Sequence, residues 1–541
     1  MLLGSMQDWP LRVMRLVDHA AREHGDGQIV SAWADGTTTR TNWRAVAHDA
    51  RRMAQALEAL GLAKGDRVAT LATNHAHHLT AWYGAIGMGG ILHTVNPRLF
   101  DDQLDYIVNH AGDRVLLYDH AFAPLVERMK PRWPGIEHYV CFDPPPGQPG
   151  FRHWIEGQDG DYAWVEGDER DPCALCYTSG TTGNPKGVLY EHRSTMLHTL
   201  VELGPDIFNL SKRAVVLPIV PMFHANAWGI PWAAPATGCK LVLSADYRPD
   251  KMCRLFLDEG VTHSAGVPTI WLTMIEHIER TGAELGELQY VTIGGSAAPR
   301  AMIKWFRQRG IDIAHAWGMT ETSPIGTCGA RSLGWEAMSE DQQVDFICHQ
   351  GRVPFGVELN TIDDDGQPLP RDGHASGRLL VRGPWVIRRY FRAEEDCIDG
   401  DGWFDTGDVA ILHPDGTMQI TDRAKDVIKS GGEWISSIEL ENAAVGFPGV
   451  AEAAAIGLPH PKWDERPLLV VVREAGHEVC RDALRVHLAT AVAKWWLPDG
   501  IEFVDELPHT ATGKLSKRTL RDQFAHYRFA GTDAVMEQLR D

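Results

Sequence analysis

The sequence predicts an α/β multidomain protein: a large N-terminal domain of α/β subdomains plus a β-rich subdomain, then a small α+β C-terminal domain. Three observations predict this. Helix-patterned and strand-patterned segments alternate over residues 42–140, and further short apolar runs follow as far as residue 293. Beyond residue 350 the texture changes to short strands joined by turns, and from residue 436 a new set of helices and strands begins. The 541 residues also exceed one ordinary domain.

Taken in order, NWRAVAHDARRMAQALEALG carries apolar residues at helical spacing and stops at Gly61. DRVATLAT follows as a short buried strand. LTAWYGAIGMGGILHTV, residues 79–95, reads as a buried helix ending at a Gly-Gly turn and feeding a strand, because polar and glycine residues interrupt it. It falls short of the roughly 18 charge-free apolar residues of a membrane span. DQLDYIVNHA is apolar-periodic and leads into the strand DRVLLYD, while DPPPGQPG is a loop by its proline and glycine content. Alternation of this kind implies a mostly parallel sheet with crossover helices. AVVLPIV, KLVLSAD, VTHSAGVP and YVTIGGSAAP each read as a strand, and open α/β sheets gather their sites at the carboxyl ends of strands. VELNTIDDDGQPLP, GRLLVRGPWVI and GDVAILHPDGTMQITDR give the β-rich part, with a turn at Asp415-Gly416. The boundary is expected near Lys425, with residues 1–423 N-terminal and 424–541 C-terminal. SIELENAAVG and CRDALRVHLATAVA supply helices there, and EAAAIGLP, RPLLVVVRE and GIEFVDEL supply strands.

Composition limits the function. A formal charge of −20 argues against a nucleic-acid partner and gives no help at anionic lipid. The N-terminus lacks a basic segment followed by an uninterrupted apolar run, so no signal peptide is expected. Nine scattered cysteines then read as reduced thiols of a cytoplasmic protein. Cys173 and Cys176 stand in a CxxC, but positions i and i+3 of a strand face opposite sides, which favours packing. His75, His77 and His78 lack nearby cysteine or carboxylate ligands in sequence and read as a histidine-rich helix start.

One segment carries most of the functional information. Tyr177-Thr178-Ser179-Gly180-Thr181-Thr182-Gly183-Asn184-Pro185-Lys186-Gly187 combines hydroxyls, three interior glycines and a lysine. Glycines let the backbone approach a ligand closely, and successive N–H groups in such a loop form an anion-binding concavity. A P-loop is excluded, since Gly183 to Lys186 is too short and Lys186 is followed by Gly187. The run reads as a phosphate cradle, and any anion site must be locally positive against the global charge.

The full pattern resembles the phosphate loop of the adenylate-forming (ANL) superfamily: acyl-CoA synthetases, luciferases and peptide-synthetase adenylation domains. Further segments over residues 221–514 resemble the same family, in its order. Pro221-Met222-Phe223-His224-Ala225-Asn226-Ala227-Trp228 is similar to the segment at the junction of acyl and nucleotide sites, which implies His224, Ala225 and Trp228 as acid contacts, Trp228 as a gate. Gly294-Gly295-Ser296-Ala297-Ala298-Pro299 resembles the small-residue turn against which adenine lies, with Gly295 shared by the acid. His315-Ala316-Trp317-Gly318-Met319-Thr320-Glu321 resembles the aromatic-Gly-x-Thr-Glu segment. Trp317 stands where Tyr is usual, keeping a stacking face and losing a hydroxyl. The resemblance implies Thr320 at the α-phosphate and Glu321, with Thr178, on Mg²⁺.

Trp403-Phe404-Asp405-Thr406-Gly407-Asp408 resembles the ribose-binding segment, which assigns Asp408 to the ribose hydroxyls. In Asp422–Trp434 the resemblance implies Arg423 at the nucleotide and Lys425 at the hinge of a mobile C-terminal domain. Ser430-Gly431-Gly432-Glu433-Trp434 resembles the loop that meets the site during thioester formation, and the resemblance implies Lys429, just before it, with Gly431, Gly432, Glu433 and Trp434 as cofactor contacts. Pro508-His509-Thr510-Ala511-Thr512-Gly513-Lys514 places Lys514 as the lysine that enters the site during adenylation, beside Lys186. The implied chemistry joins a carboxylic acid to CoA through an acyl-adenylate, using ATP and Mg²⁺. A medium- or long-chain fatty acid is the first expectation for the substrate, with 3-methylthiopropionate or an aryl acid as alternatives. Loading of a carrier protein is the alternative to CoA, and the fatty acyl enzymes suggest a homodimer.

Overall fold

The structure, a computed structural model, describes residues 4–178, 184–329, 331, 334–430, 433–474, 476–509 and 515–529. Among them, one sheet runs in the spatial order His138–Cys141, Asp113–Tyr118, Arg67–Leu71, Ile91–Thr94, Pro172–Tyr177, Gly187–Glu191. Its strands are parallel except that Gly187–Glu191 returns antiparallel to Pro172–Tyr177. Val68, Ala69, Thr70 and Leu71 are all buried, the continuous pattern of a strand covered on both faces. A second sheet runs Asp312–His315, Tyr290–Ile293, His263–Gly266, Val215–Pro218, Lys240–Ser244, Gln28–Ala32, Thr38–Asn42, with only the last strand antiparallel.

Helix Trp43–Ala59 starts because the Asn42 side chain accepts from Ala45 N at 2.9 Å. It buries the stripe Val46, Ala47, Ala50, Met53, Ala54 and Leu57. Helix Ala76–Gly87 is buried almost all round and packs on it through Gly84, where a Cβ would come 2.8 Å from Met53. His75 starts that helix, accepting from His78 N at 3.0 Å, and its Nε2 lies 2.8 Å from Asp119 Oδ1. His78 bonds Thr73 O and Thr70 Oγ1, and Trp33 stacks on His75 at 4.7 Å. The histidine cluster is therefore a hydrogen-bonded helix start. Cys173 and Cys176 are buried free thiols with separate neighbours, Thr195 for one and Thr94 and Asn226 for the other.

The two parallel sheets meet through aromatic packing. Trp82 lies 5.0 Å from Trp232, and Tyr83 donates to Pro231 O at 3.1 Å. Asn74, fully buried just past strand Arg67–Leu71, donates to Val220 O at 2.9 Å and accepts from Met222 N at 2.6 Å. Each such bond contributes about 1 kcal/mol net. Together they pin the segment that leads into His224 against the other subdomain.

Strands Glu358–Ile362, Ser376–Arg382, Phe404–Leu412 and Met418–Arg423 form an antiparallel sheet, as the turn-rich sequence predicts. From Ile428 onward the strands belong to another sheet, built on the long hairpin Val450–His460 and Asp464–Arg473 with Gly500–Val504 parallel at its side. Helix Ser437–Val445 docks back on the previous sheet: Ser437 N donates to Asp422 Oδ2 at 2.7 Å. Lys517 on the last described helix lies 2.7 Å from Glu441 and also donates to Ser437, and Arg521 pairs with Asp426 at 2.9 Å. Burial pushes the Glu441 carboxyl up to about 6 despite Lys517. No helix among the described residues is long and apolar enough to cross a membrane.

Candidate active site

Strand Pro172–Tyr177 delivers the phosphate loop and Gly187–Glu191 carries the chain away, with Tyr177 opposite Gly187. The neck is closed by two bonds: Thr178 N donates to Lys186 O at 2.9 Å, and Lys186 N donates to Thr178 Oγ1 at 3.3 Å. Ser179, Gly180, Thr181, Thr182 and Gly183 lie outside the described residues, as do Gly431, Gly432 and Lys514. The Tyr177 hydroxyl reaches His110 Nδ1 at 2.7 Å, tying the neck to helix Asp101–Ala111.

A cavity of about 620 Å³ opens beside this neck. The carboxyl ends of strands Val215–Pro218, Tyr290–Ile293 and Asp312–His315 feed it, with the antiparallel sheet on another side. It gathers many of the residues the sequence singles out: Thr178, Lys186, His224, Ala225, Trp228, Gly295, Ala316, Trp317, Gly318, Thr320, Glu321 and Arg423. Ser296, Ala297, His315, Asp408, Lys425 and Lys429 do not line it.

Asp408 stands behind the wall rather than on it. It is 3% exposed; its Oδ2 accepts from Trp317 Nε1 at 2.9 Å and its Oδ1 pairs with Arg423 Nε at 3.0 Å. Asp405, Thr406 and Gly407, earlier in the same motif, form the surface. The departure from Tyr to Trp at 317 thus brings a donor of its own, the indole N–H, and spends it on the motif's aspartate. The indole also packs on Gly326, where a Cβ would fall 2.2 Å from the ring.

His315 lies on the far side of the same strand end. Its Nε2 accepts from Ala298 N at 3.2 Å, which leaves the proton on Nδ1 to donate to Ile347 O at 3.0 Å. Burial holds the ring down to about 4, so it is neutral. It holds the Gly294–Pro299 turn in place and has no side-chain contact with the cavity.

Glu321 and Thr320 are held by two tyrosines that the sequence reading did not single out. Tyr390 donates to Glu321 Oε1 at 2.8 Å, and Tyr190 donates to Thr320 O at 2.7 Å. Lys186 Nζ sits 4.8 Å from the centre of the Tyr390 ring. Asn184, Phe208, Thr292 and Tyr390 also line the cavity. Asn184 lies inside the loop motif and was legible there; an aromatic residue amid Arg388, Arg389 and Arg392 gave no periodic or motif signal.

Past His224 the chain makes an unusual turn. Ala225, Asn226, Ala227 and Trp228 have φ of 41°, 55°, 49° and 55°, and Gly229 follows at 85°. Left-handed backbone costs L-residues about 1–2 kcal/mol each, and strain of this kind clusters at functional sites. Gly229 faces the buried Glu202, whose carboxylate would lie 2.2 Å from an added Cβ. The turn sets Trp228 against Gly294, 3.4 Å from the position of an added Cβ, so the indole occupies space that any side chain at 294 would fill.

The donor set suits magnesium. Among the described residues no cluster of three or more His, Cys, Asp or Glu forms a metal cage. A single carboxylate beside a phosphate loop fits Mg²⁺, which keeps waters and shares its sphere with substrate phosphates. Glu321 and the Thr178 hydroxyl would hold it, and it would neutralise phosphate charge. Lys186 and Arg423 add positive charge to the cavity, which suits it to anionic ligands.

Residues 17–391 match the AMP-binding enzyme family and residues 439–514 match the AMP-binding enzyme C-terminal domain. The chain belongs to the AMP-binding enzyme family. It is 49% identical to 3-methylmercaptopropionyl-CoA ligase of Ruegeria lacuscaerulensis, over 97% of this chain and 99% of that one. It is 42% identical to the medium-chain-fatty-acid–CoA ligase of Ectopseudomonas oleovorans, over 99% and 100%. The crystal structure of ATP-bound MatB from Rhodopseudomonas palustris superposes with a TM-score of 0.80 at 25% identity, covering 95% of this chain and 99% of that one.

Proposed function

We propose that this chain is an acid–thiol ligase that joins an aliphatic carboxylic acid to CoA in two steps. The acid carboxylate attacks the α-phosphorus of ATP, pyrophosphate leaves, and the CoA thiol then displaces AMP from the acyl-adenylate. The observation that carries the proposal is one cavity holding Lys186, Thr320 and Glu321 from the nucleotide motifs together with His224, Ala225 and Trp228 from the acid motif. Full-length similarity to CoA ligases supports it.

Roles follow from position. Lys186 and Lys514 neutralise phosphate and carboxylate charge, which is most of what such a transfer needs. Arg423, on the wall, contacts the nucleotide, while Asp408 orients Trp317 and Arg423 from behind. Residues 424–541 act as a mobile domain about Lys425, carrying Lys514 in for adenylation and the loop at Lys429–Trp434 for thioesterification. The change of sheet between Arg423 and Ile428 supports a hinge there. A cytoplasmic homodimer completes the reading, and light scattering of the purified protein tests the dimer.

The direct test is acid-dependent exchange of labelled pyrophosphate into ATP. Exchange that requires an acid supports the adenylate; AMP or ADP release with no acid dependence contradicts it.

A further inference from the structure

Glu202 ends helix His192–Glu202 and is fully buried. Its carboxylate lies against Gly229: a Cβ added there would fall 2.2 Å from Oε1 and 2.4 Å from Oε2. Negative charge is unfavourable at the C-terminal end of its own helix. A buried carboxylate is also costly unless it is paired. Stability alone favours an apolar side chain at this position, so packing does not explain the charge.

Two neighbours offset that cost. Gly229 precedes helix Ile230–Thr237, whose N-terminal end carries partial positive charge. His198, one turn back on the same face as Glu202, holds Nδ1 3.3 Å from Glu202 Oε1. The other ring nitrogen, Nε2, accepts from Ile325 N at 3.2 Å. A neutral imidazole has one donor nitrogen and one acceptor, so this bond puts the ring proton on Nδ1, facing the carboxylate. Burial pushes the Glu202 carboxyl above its usual range, and His198 opposes that. Trp385 Nε1 donates to Ile325 O at 2.9 Å, so both backbone polar groups of Ile325 are bonded.

Glu202 does not itself line the cavity, but it backs two residues that do, Trp228 and Ile325. On one side its carboxylate packs under Gly229, the end of the left-handed turn that presents Trp228. On the other it fixes the tautomer by which His198 holds the Ile325 backbone. Without the carboxylate the His198 ring is free to move its proton to Nε2, which ends the Ile325 bond, and the turn loses its support. We propose that Glu202 is a positioning residue for acid binding, acting through the His198–Ile325 bond and the turn at Gly229 to hold Ile325 and Trp228 against the chain of the acid. The proposal rests on the ligase reading above and adds to it a residue that touches neither the acid nor the nucleotide.

The experiment separates the two substrates. KM for the acid, KM for ATP and kcat are measured as CoA-dependent AMP formation for the wild type, Glu202→Gln and Glu202→Leu, with the best-used acid of a panel from propionate to hexadecanoate. Glutamine keeps the shape and an acceptor for Nδ1–H but removes the charge, and should raise the acid KM by about threefold. Leucine removes the acceptor and should raise it by about tenfold, the upper worth of one hydrogen bond. KM for ATP should stay within about twofold in both, since the affected contacts are to the acid alone. The glutamine variant, being isosteric, decides the matter if the leucine variant does not fold. An unchanged acid KM in Glu202→Gln, a parallel rise for acid and ATP in either variant, or a fall in kcat with both KM values unchanged overturns the proposal while leaving a ligase. Absence of CoA-dependent AMP from every acid in the wild type removes the ligase reading itself, and this inference with it.

Discussion

The Tyr390 hydroxyl donates to Glu321 Oε1 at 2.8 Å while the face of its ring lies 4.8 Å from Lys186 Nζ. One side chain thus positions both the carboxylate assigned to Mg²⁺ and the lysine of the phosphate loop. Burial and the neighbouring Glu321 carboxylate push the phenol above its usual range, so it stays a donor. Tyr390→Phe keeps the ring and removes the donor. Partners that orient a metal-binding carboxylate are worth roughly tenfold or more in metal affinity or activity. The expected result is a rise of about tenfold in the Mg²⁺ concentration that half-saturates pyrophosphate exchange, with thioesterification of supplied acyl-adenylate changed far less. An unchanged Mg²⁺ curve would show that Glu321 is oriented without it.

Trp317→Phe tests the pair behind the wall. It leaves the buried Asp408 Oδ2 without its indole donor. Losing one partner of a charged, buried hydrogen bond costs about 1–3 kcal/mol. Urea unfolding should show that loss, and calorimetry should show weaker AMP binding. Full retention of both would mean that Arg423 alone satisfies Asp408.

Lys514→Ala separates the half-reactions. Pyrophosphate exchange should fall by about 10²–10³-fold, the usual worth of one preorganised charge-stabilising donor, while CoA-dependent release of AMP from supplied acyl-adenylate stays within a few-fold of wild type. Equal losses in both would contradict alternation of the C-terminal segments in one site.

Acid should destabilise the protein, in part through His192. This ring is 1% exposed, accepts from Val13 N at 3.2 Å, and is held down to about 3 by burial, with Arg12 adding to the effect. In the unfolded chain it titrates near 6.5. Between those values the unfolded state binds more protons, so stability rises with pH there. The contribution is complete above about pH 6.5 and is lost as pH falls towards 3. By about pH 5 it amounts to ~2 kcal/mol for this one ring. His192→Gln should therefore show a smaller drop in urea midpoint between about pH 7.5 and about pH 5. An equal drop in both proteins would mean that His192 is protonated in the folded state.

Much of the fold was legible because its signals are local. Helical spacing ending at Gly61, the Gly-Gly turn before Ile91 and the turn at Asp415-Gly416 fix elements by short-range chemistry, and the structure places them accordingly. The cavity was legible to the extent that its residues sit in motifs at strand ends. Tyr390 and Tyr190 were missed because their roles depend on partners 69 and 130 residues away. The sequence also gave no warning of the left-handed turn at Ala225–Trp228, since alanine and tryptophan carry no preference for it. The motif points to Asp408 as a ribose ligand; only the fold shows its carboxylate bonded to the Trp317 indole and paired with Arg423.

The central claim is acid–CoA ligation through an adenylate. The most direct measurement is AMP release from ATP and Mg²⁺ across a panel of carboxylic acids, short thioether and alkyl acids through long-chain and aryl acids, each with and without CoA. The account predicts AMP turnover that requires both an aliphatic acid and CoA, with the matching acyl-CoA formed in equal amount. Turnover that ignores CoA, or none with any acid, would contradict it.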